Sequence, residues 1–148
     1  MSLNDKLVDE MKQAAKAKDK LRLSTIRMIR ASIKNKEIEK KKELDDKEII
    51  ETISTLVKQR KESITQFRQG KRDDLVRKEE AELEILLSFM PKQLSREEIE
   101  AEVMKAIQET EAESVRDIGK VMKILMADLA GKADGRVVNE IVRERLSN

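Results

Sequence analysis

The chain has no histidine, cysteine, tryptophan or tyrosine, and only two phenylalanines, one proline and four glycines in 148 residues. Without histidine and cysteine there is no imidazole base, no thiol nucleophile, no ordinary zinc site and no disulfide. So few glycines and prolines leave little material for the turns of an all-β fold, and valine and isoleucine recur at helical spacing instead of alternating. Lacking tyrosine and tryptophan, the chain has no platform on which unpaired bases could stack. No apolar run approaches membrane-spanning length. The start Met1-Ser2-Leu3-Asn4-Asp5-Lys6 is charged and unlike a signal peptide. These features together predict a cytosolic, cytoplasmic protein with no cofactor and no membrane partner.

What is present in quantity is charge: 42% of residues are charged and 39% hydrophobic, with periodicity throughout. That balance predicts a folded helical protein with long solvated faces. The net charge is only +2. Residues 1–90 carry 22 basic and 18 acidic side chains, and residues 91–148 carry 10 and 12. A site for a polyanion must therefore be a local patch.

The spacing predicts an all-α fold of two helical subdomains, 1–93 and 94–148, with a break at Pro91, since proline disfavours helix in the residue before it. The first holds about four helices: Asn4 to about Lys16, Lys20 to near Lys40, one opened by Asp45-Asp46 and stopped by Gly70, and one from Asp73 or Asp74 toward Ser88. Ile50, Ile53, Val57, Ile64 and Phe67 form the expected inner stripe of the third. The second subdomain is a three-helix bundle. Ser95-Arg96-Glu97-Glu98 has the form of a capping box, Ser114 or Asp117 caps the next helix, and Asp134 the last. Gly131 falls where a helix-ending residue with positive φ is wanted. Phe67 and Phe89 read as core.

Two groups of residues could carry function. Around Gly131-Lys132-Ala133-Asp134-Gly135 the start of the last helix offers backbone amides and a positive dipole end, a natural phosphate site. Lys132 and Arg136 flank it, Asn139 lies one turn on, and Lys120 and Lys123 lie on the preceding helix. The same glycines and aspartate are also what a tight helix–helix turn requires. On the second helix, Arg27, Arg30 and Lys34 share one side, loosely extended by Lys20 and Lys41; Lys58, Arg60 and Lys61 cluster on the third. In so charged a chain, solvated helix faces are the simpler reading of both. The acid pairs Asp73-Asp74 and Glu79-Glu80 fit caps and surfaces better than catalysis, because adjacent residues do not share a helix face.

Gly119-Lys120-Val121-Met122, Gly131 to Gly135 and Val138-Asn139 resemble the GatB/YqeY family, in particular the C-terminal tail domain of the B subunit of glutamine-dependent aminoacyl-tRNA amidotransferase. Arg27-Met28-Ile29 through Asn35, Lys58-Gln59-Arg60-Lys61-Glu62-Ser63, and Leu94-Ser95 after Pro91 resemble the stand-alone YqeY-type proteins. The resemblance implies two all-α subdomains and contact with tRNA. It also implies an association with carbon–nitrogen ligases that use glutamine as nitrogen donor. The chain matches only the tail of that machine: it has no glycine-rich nucleotide loop and no catalytic cysteine. The expectation is a non-catalytic accessory protein for tRNA or other structured RNA. The alternatives are a protein-interaction module with a protein partner, or an amidotransferase component acting in trans.

Overall fold

The computed structural model describes residues 2–147. Among them are seven α-helices, one 3-10 turn and no strand. The helices are α1 (Leu3–Lys16), α2 (Lys20–Lys40), α3 (Asp46–Gln69), α4 (Asp73–Ser88), α5 (Arg96–Thr110), α6 (Ile118–Leu129) and α7 (Gly135–Leu146), and the 3-10 turn is Val115–Asp117. The all-α expectation holds, with helix limits within a residue or two of those read from the spacing. The chain gathers into two compact units, Met1–Met90 and Pro91–Asn148.

In the first unit α3 and α4 form an antiparallel hairpin, α1 lies along α2, and α2 packs on both α3 and α4. The core joins Leu7 of α1, Ile26, Ile29 and Ile33 of α2, Leu44, Ile49, Ile53 and Val57 of α3 and its approach, and Leu86 and Phe89 of α4 and its end. Each such side chain, fully withdrawn from water, contributes about 1.5–3 kcal/mol. Asp45 opens α3 with a complete capping box: its carboxylate accepts from Glu48 N–H at 2.8 Å, and Glu48 accepts from Asp45 N–H at 3.3 Å.

Several local expectations need correction. Ile49, 1% exposed, faces the core of α3, while Ile50 and Phe67 lie half-buried at its flank. Gly70 ends α3 with φ −81°, so its freedom from a side chain is not used there. The left-handed residue is Lys71 (φ 56°), and Lys18 (φ 58°) and Lys41 (φ 56°) play the same part after α1 and α2. Thus a glycine-poor chain turns at the ends of three helices on lysines, at a strain of about 1–2 kcal/mol each. Phe89 is core as expected, 4% exposed, with the Lys6 ammonium and the Arg22 guanidinium each 5.7 Å from its ring centre.

The second unit is a three-helix bundle in which α5, α6 and α7 pack pairwise. Ile99, Val103 and Ala106 meet Val121, Leu125 and Leu129 and Val138, Ile141, Val142 and Leu146. The Ser95–Glu98 capping box forms as read, at 3.2 and 3.0 Å. Ser114 caps the 3-10 turn. The Asp117 carboxylate turns back to the N–H groups of Glu113 and Ser114, which hold it below the usual carboxylate range, so it does not cap α6.

Candidate nucleic-acid interface

Residues Lys20 to Lys36 contain six cations and no carboxylate, in a chain where Asp and Glu number 30. The helix sorts these cations. Thr25, Ile26, Ile29 and Ile33 take the inner face of α2, so Lys20, Arg27 and Lys34, seven residues apart, emerge together on the outer one, and all three are exposed. At 1.5 Å per residue they stand about 10.5 Å apart along the helix axis. Between them lie only Ser24 and Ala31, both exposed and too small to hold a large partner away. Among the described residues none of the three makes an ion pair. The result is a cationic strip about 21 Å long, without an ion pair among the described residues and bordered at its Lys34 end by Glu37 and Glu43.

Several other cations of this unit are spent internally. Arg22 donates to Glu10 at 2.6 Å. Arg30, grouped by spacing with Arg27 and Lys34, is half-buried and turns to the Met11 sulfur at 3.3 Å. Arg60 is not part of a surface cluster with the exposed Lys58 and Lys61: it donates to Glu79 at 2.6 Å and stands 3.0 Å from Glu82, which is buried. Lys40 and Lys42 converge on Glu48 at 2.9 and 3.3 Å. Hydrogen bonding from Lys40 and from Asp45 N–H holds the Glu48 carboxyl down at about 2. The acid pairs are divided as well: Glu79 goes to Arg60 and Glu80 to Arg68, while both carboxylate oxygens of Asp74 accept from Arg72 at 3.1 and 3.2 Å.

In the second unit the connection from α6 to α7 is a type II turn over Leu129–Lys132. Ala130 has φ −56° and ψ 124°, Gly131 has φ 77°, and Lys132 N–H donates to Leu129 C=O at 2.9 Å. Gly131 therefore has the positive φ expected of it, one residue beyond the helix cap. The segment before α5 clamps this turn. The Gln93 side-chain amide donates to Gly131 C=O at 2.7 Å, and Leu94 N–H to Lys132 C=O at 2.9 Å.

Lys132 and Arg136 are exposed beside the start of α7. The helix start itself is partly occupied: Asp134 accepts from Arg136 N–H at 2.9 Å, placing a carboxylate where a phosphate would sit. Asn139 is also engaged, accepting from Arg143 Nε at 2.8 Å. It orients Arg143, seven residues after Arg136 on the same face, a cation that the sequence reading missed and that the Asn139–Arg143 spacing of four could have revealed. Lys120 leans to Asp117 at 3.9 Å, and Lys123 is exposed. Lys132 and Arg136 are also without ion pairs among the described residues, so what distinguishes the α2 strip is the absence of any carboxylate between Lys20 and Lys36, where the hairpin carries Asp134 at its helix start. The strip's signal in the sequence was the acid-free run.

The family model for Yqey-like proteins matches residues 4–146, nearly the whole chain. The chain belongs to the Yqey-like protein family. Among the relatives of this Yqey-like chain is the "Altered inheritance of mitochondria protein 41, mitochondrial" of Kluyveromyces lactis, 42% identical over 104 residues, or 68% of this chain and 56% of that protein. The protein of the same name from Lachancea thermotolerans is 41% identical over 106 residues, covering 70% and 57%. The one from Saccharomyces cerevisiae is 42% identical over 85 residues, covering 57% and 46%. The chain thus spans about half the length of the curated relatives it matches. Their names overturn the cytoplasmic expectation. Lack of cysteine is compatible with any compartment.

Proposed function

We propose that this Yqey-like chain is a non-catalytic RNA-binding accessory protein whose α2 strip grips the phosphate backbone of a folded RNA, tRNA being the first to test. The observation that carries this reading is the row Lys20, Arg27 and Lys34, free of ion pairs among the described residues, on a helix face without carboxylates. Cations seven residues apart with small residues between them suit repeated phosphate contact and carry no base-edge readout. One phenylalanine is buried and the other half-buried, so recognition rests on shape and backbone. The likeness of the last thirty residues to the amidotransferase tail favours tRNA, with Lys132, Arg136 and Arg143 as a second, weaker contact.

The test is binding of labelled tRNA to the intact chain across a salt series. Arg27→Ala with Lys34→Ala should weaken binding and make the log–log salt slope shallower by about two units, about one for each phosphate no longer neutralised. Lys132→Ala with Arg136→Ala should change the slope less. An unchanged slope in the α2 variant sinks the proposal. A second reading, a protein-interaction module, is favoured by Ile38, 71% exposed just beyond the strip. Binding to a protein partner through Ile38 would be insensitive to salt and abolished in Ile38→Ser.

A further inference from the structure

Arg30 leaves the strip for a cleft of about 590 Å³ in the first unit, bounded by the start of α1, the outer half of α2 and the approach to α3. That volume is in the usual range for a small-molecule site. The cleft has three kinds of wall. Its cationic wall is Arg30 and Lys34. Among the described residues, the only side-chain partner of the Arg30 guanidinium is the soft Met11 sulfur, and Lys34 has none. Its apolar floor includes Ile33 and Leu44, 4% and 9% exposed.

The third wall is acidic, and its five carboxylates differ in employment. Glu37 accepts from Leu44 N–H at 3.0 Å, Asp45 caps α3, and Asp46 accepts from Leu3 N–H at 3.0 Å. These three hold the fold together. Asp5 and Glu43 are exposed, and their carboxylates have no hydrogen bond or ion pair among the described residues.

Within this cleft five carboxylates face two cations, so its occupant must carry positive charge overall. A guanidinium without a carboxylate partner selects one planar anionic group, a carboxylate, by bidentate hydrogen bonding. The apolar floor suits a methylene stem. We propose that this cleft binds a free basic amino acid, its carboxylate on Arg30 and Lys34 and its ammonium or guanidinium groups toward Asp5 and Glu43.

Titration of the intact chain with L-lysine and L-arginine, followed by amide NMR shifts and calorimetry, tests this. The comparison ligands are a diamine of similar length, acetate and inorganic phosphate. The basic amino acids should bind most tightly and shift amides of α1, α2 and residues 43–46. Arg30→Gln should weaken them by about tenfold or more, the effect of removing one charge-assisted hydrogen-bonding group, and leave the diamine unaffected. Glu43→Gln should weaken amino acid and diamine alike. Should Arg30→Gln alter thermal unfolding, Glu43→Gln decides, since Glu43 neither caps a helix nor pairs with a neighbour. No saturable binding in the millimolar range overturns the proposal, as does phosphate binding as well as the amino acids, or Glu43→Gln leaving their affinity unchanged.

Discussion

The two units solve helix packing differently. The second has a core built only from aliphatic side chains, and its polar contacts lie outside that core, at caps and turns and in exposed pairs such as Arg96–Glu144. The first buries polar groups as well, Thr25, Thr52 and Glu82, with Arg60 held between two glutamates where α3 meets α4. Both threonine hydroxyls are satisfied by donating to carbonyls one turn back, Thr25 to Leu21 at 2.8 Å and Thr52 to Glu48 at 2.9 Å. Glu82 keeps one oxygen without a hydrogen bond. An aliphatic bundle is tolerant within its core and exacting at its corners. A core with an internal ion cluster is exacting in the middle.

The sharpest way to break this contrast is Arg60→Ala. It would leave Glu79 and Glu82 without their shared cation, and should cost about 3–5 kcal/mol in chemical denaturation. Replacing the cluster whole, Arg60→Met with Glu79→Leu and Glu82→Leu, should recover most of that stability. If Arg60→Ala alone is neutral, the cluster is solvated and the contrast fails.

In the second unit the largest effect at a corner should come from Gly131→Val. A β-branched residue at φ 77° is strained whatever the room around it, and denaturation should register a cost of about 1–3 kcal/mol. Amide exchange should locate the weakening in α5, α6 and α7. Next, Asp134→Ala removes the cap of α7 and should cost about 1 kcal/mol.

The smallest effect concerns acid. Glu48 is held at about 2 by Lys40 first and the Asp45 amide second. Its contribution is therefore complete above the usual 4.5 and disappears as pH falls toward 2. Glu98, in the corresponding box of the second unit, is also lowered, by the Ser95 N–H first and the Ser95 hydroxyl second. Between pH 4.5 and 2 the first unit should weaken in a way that added salt mutes, because lysines are involved. Glu48→Gln should flatten that limb, followed by amide exchange against pH. Equal salt response of the two boxes would erase the distinction.

Helix positions were legible because each start carries its own chemistry: Asp45 with Glu48, Ser95 with Glu98, Asp134. The left-handed residues that follow α1, α2, α3 and α5 were not, because a lysine or glutamate in that region has no sequence signature, and Gly70 drew attention one residue too early. The choice of Ile49 over Ile50 was illegible for another reason: two adjacent isoleucines satisfy the same period, and only the packing of α4 and α2 selects one. The cationic residues of the candidate surface could be named from the sequence, but not their freedom. Arg27 and Arg30 look alike until the fold gives one a sulfur and leaves the other alone. Asn139 looked like a ligand residue and is a brace for Arg143.

The clamp between Gln93 and Gly131 closes a loop of 38 residues. The hairpin of α6 and α7 is local and can assemble on its own chain segment, but its turn receives these last hydrogen bonds only when the residues before α5 return to it. That closure carries an entropic cost that grows as the logarithm of loop length. The main chain at Lys132 is therefore held by residues nearly forty positions upstream. Anything that grips Lys132 in its folded setting is linked to the docking of α5: binding there favours the closed bundle, and fraying of α5 weakens the grip without touching it.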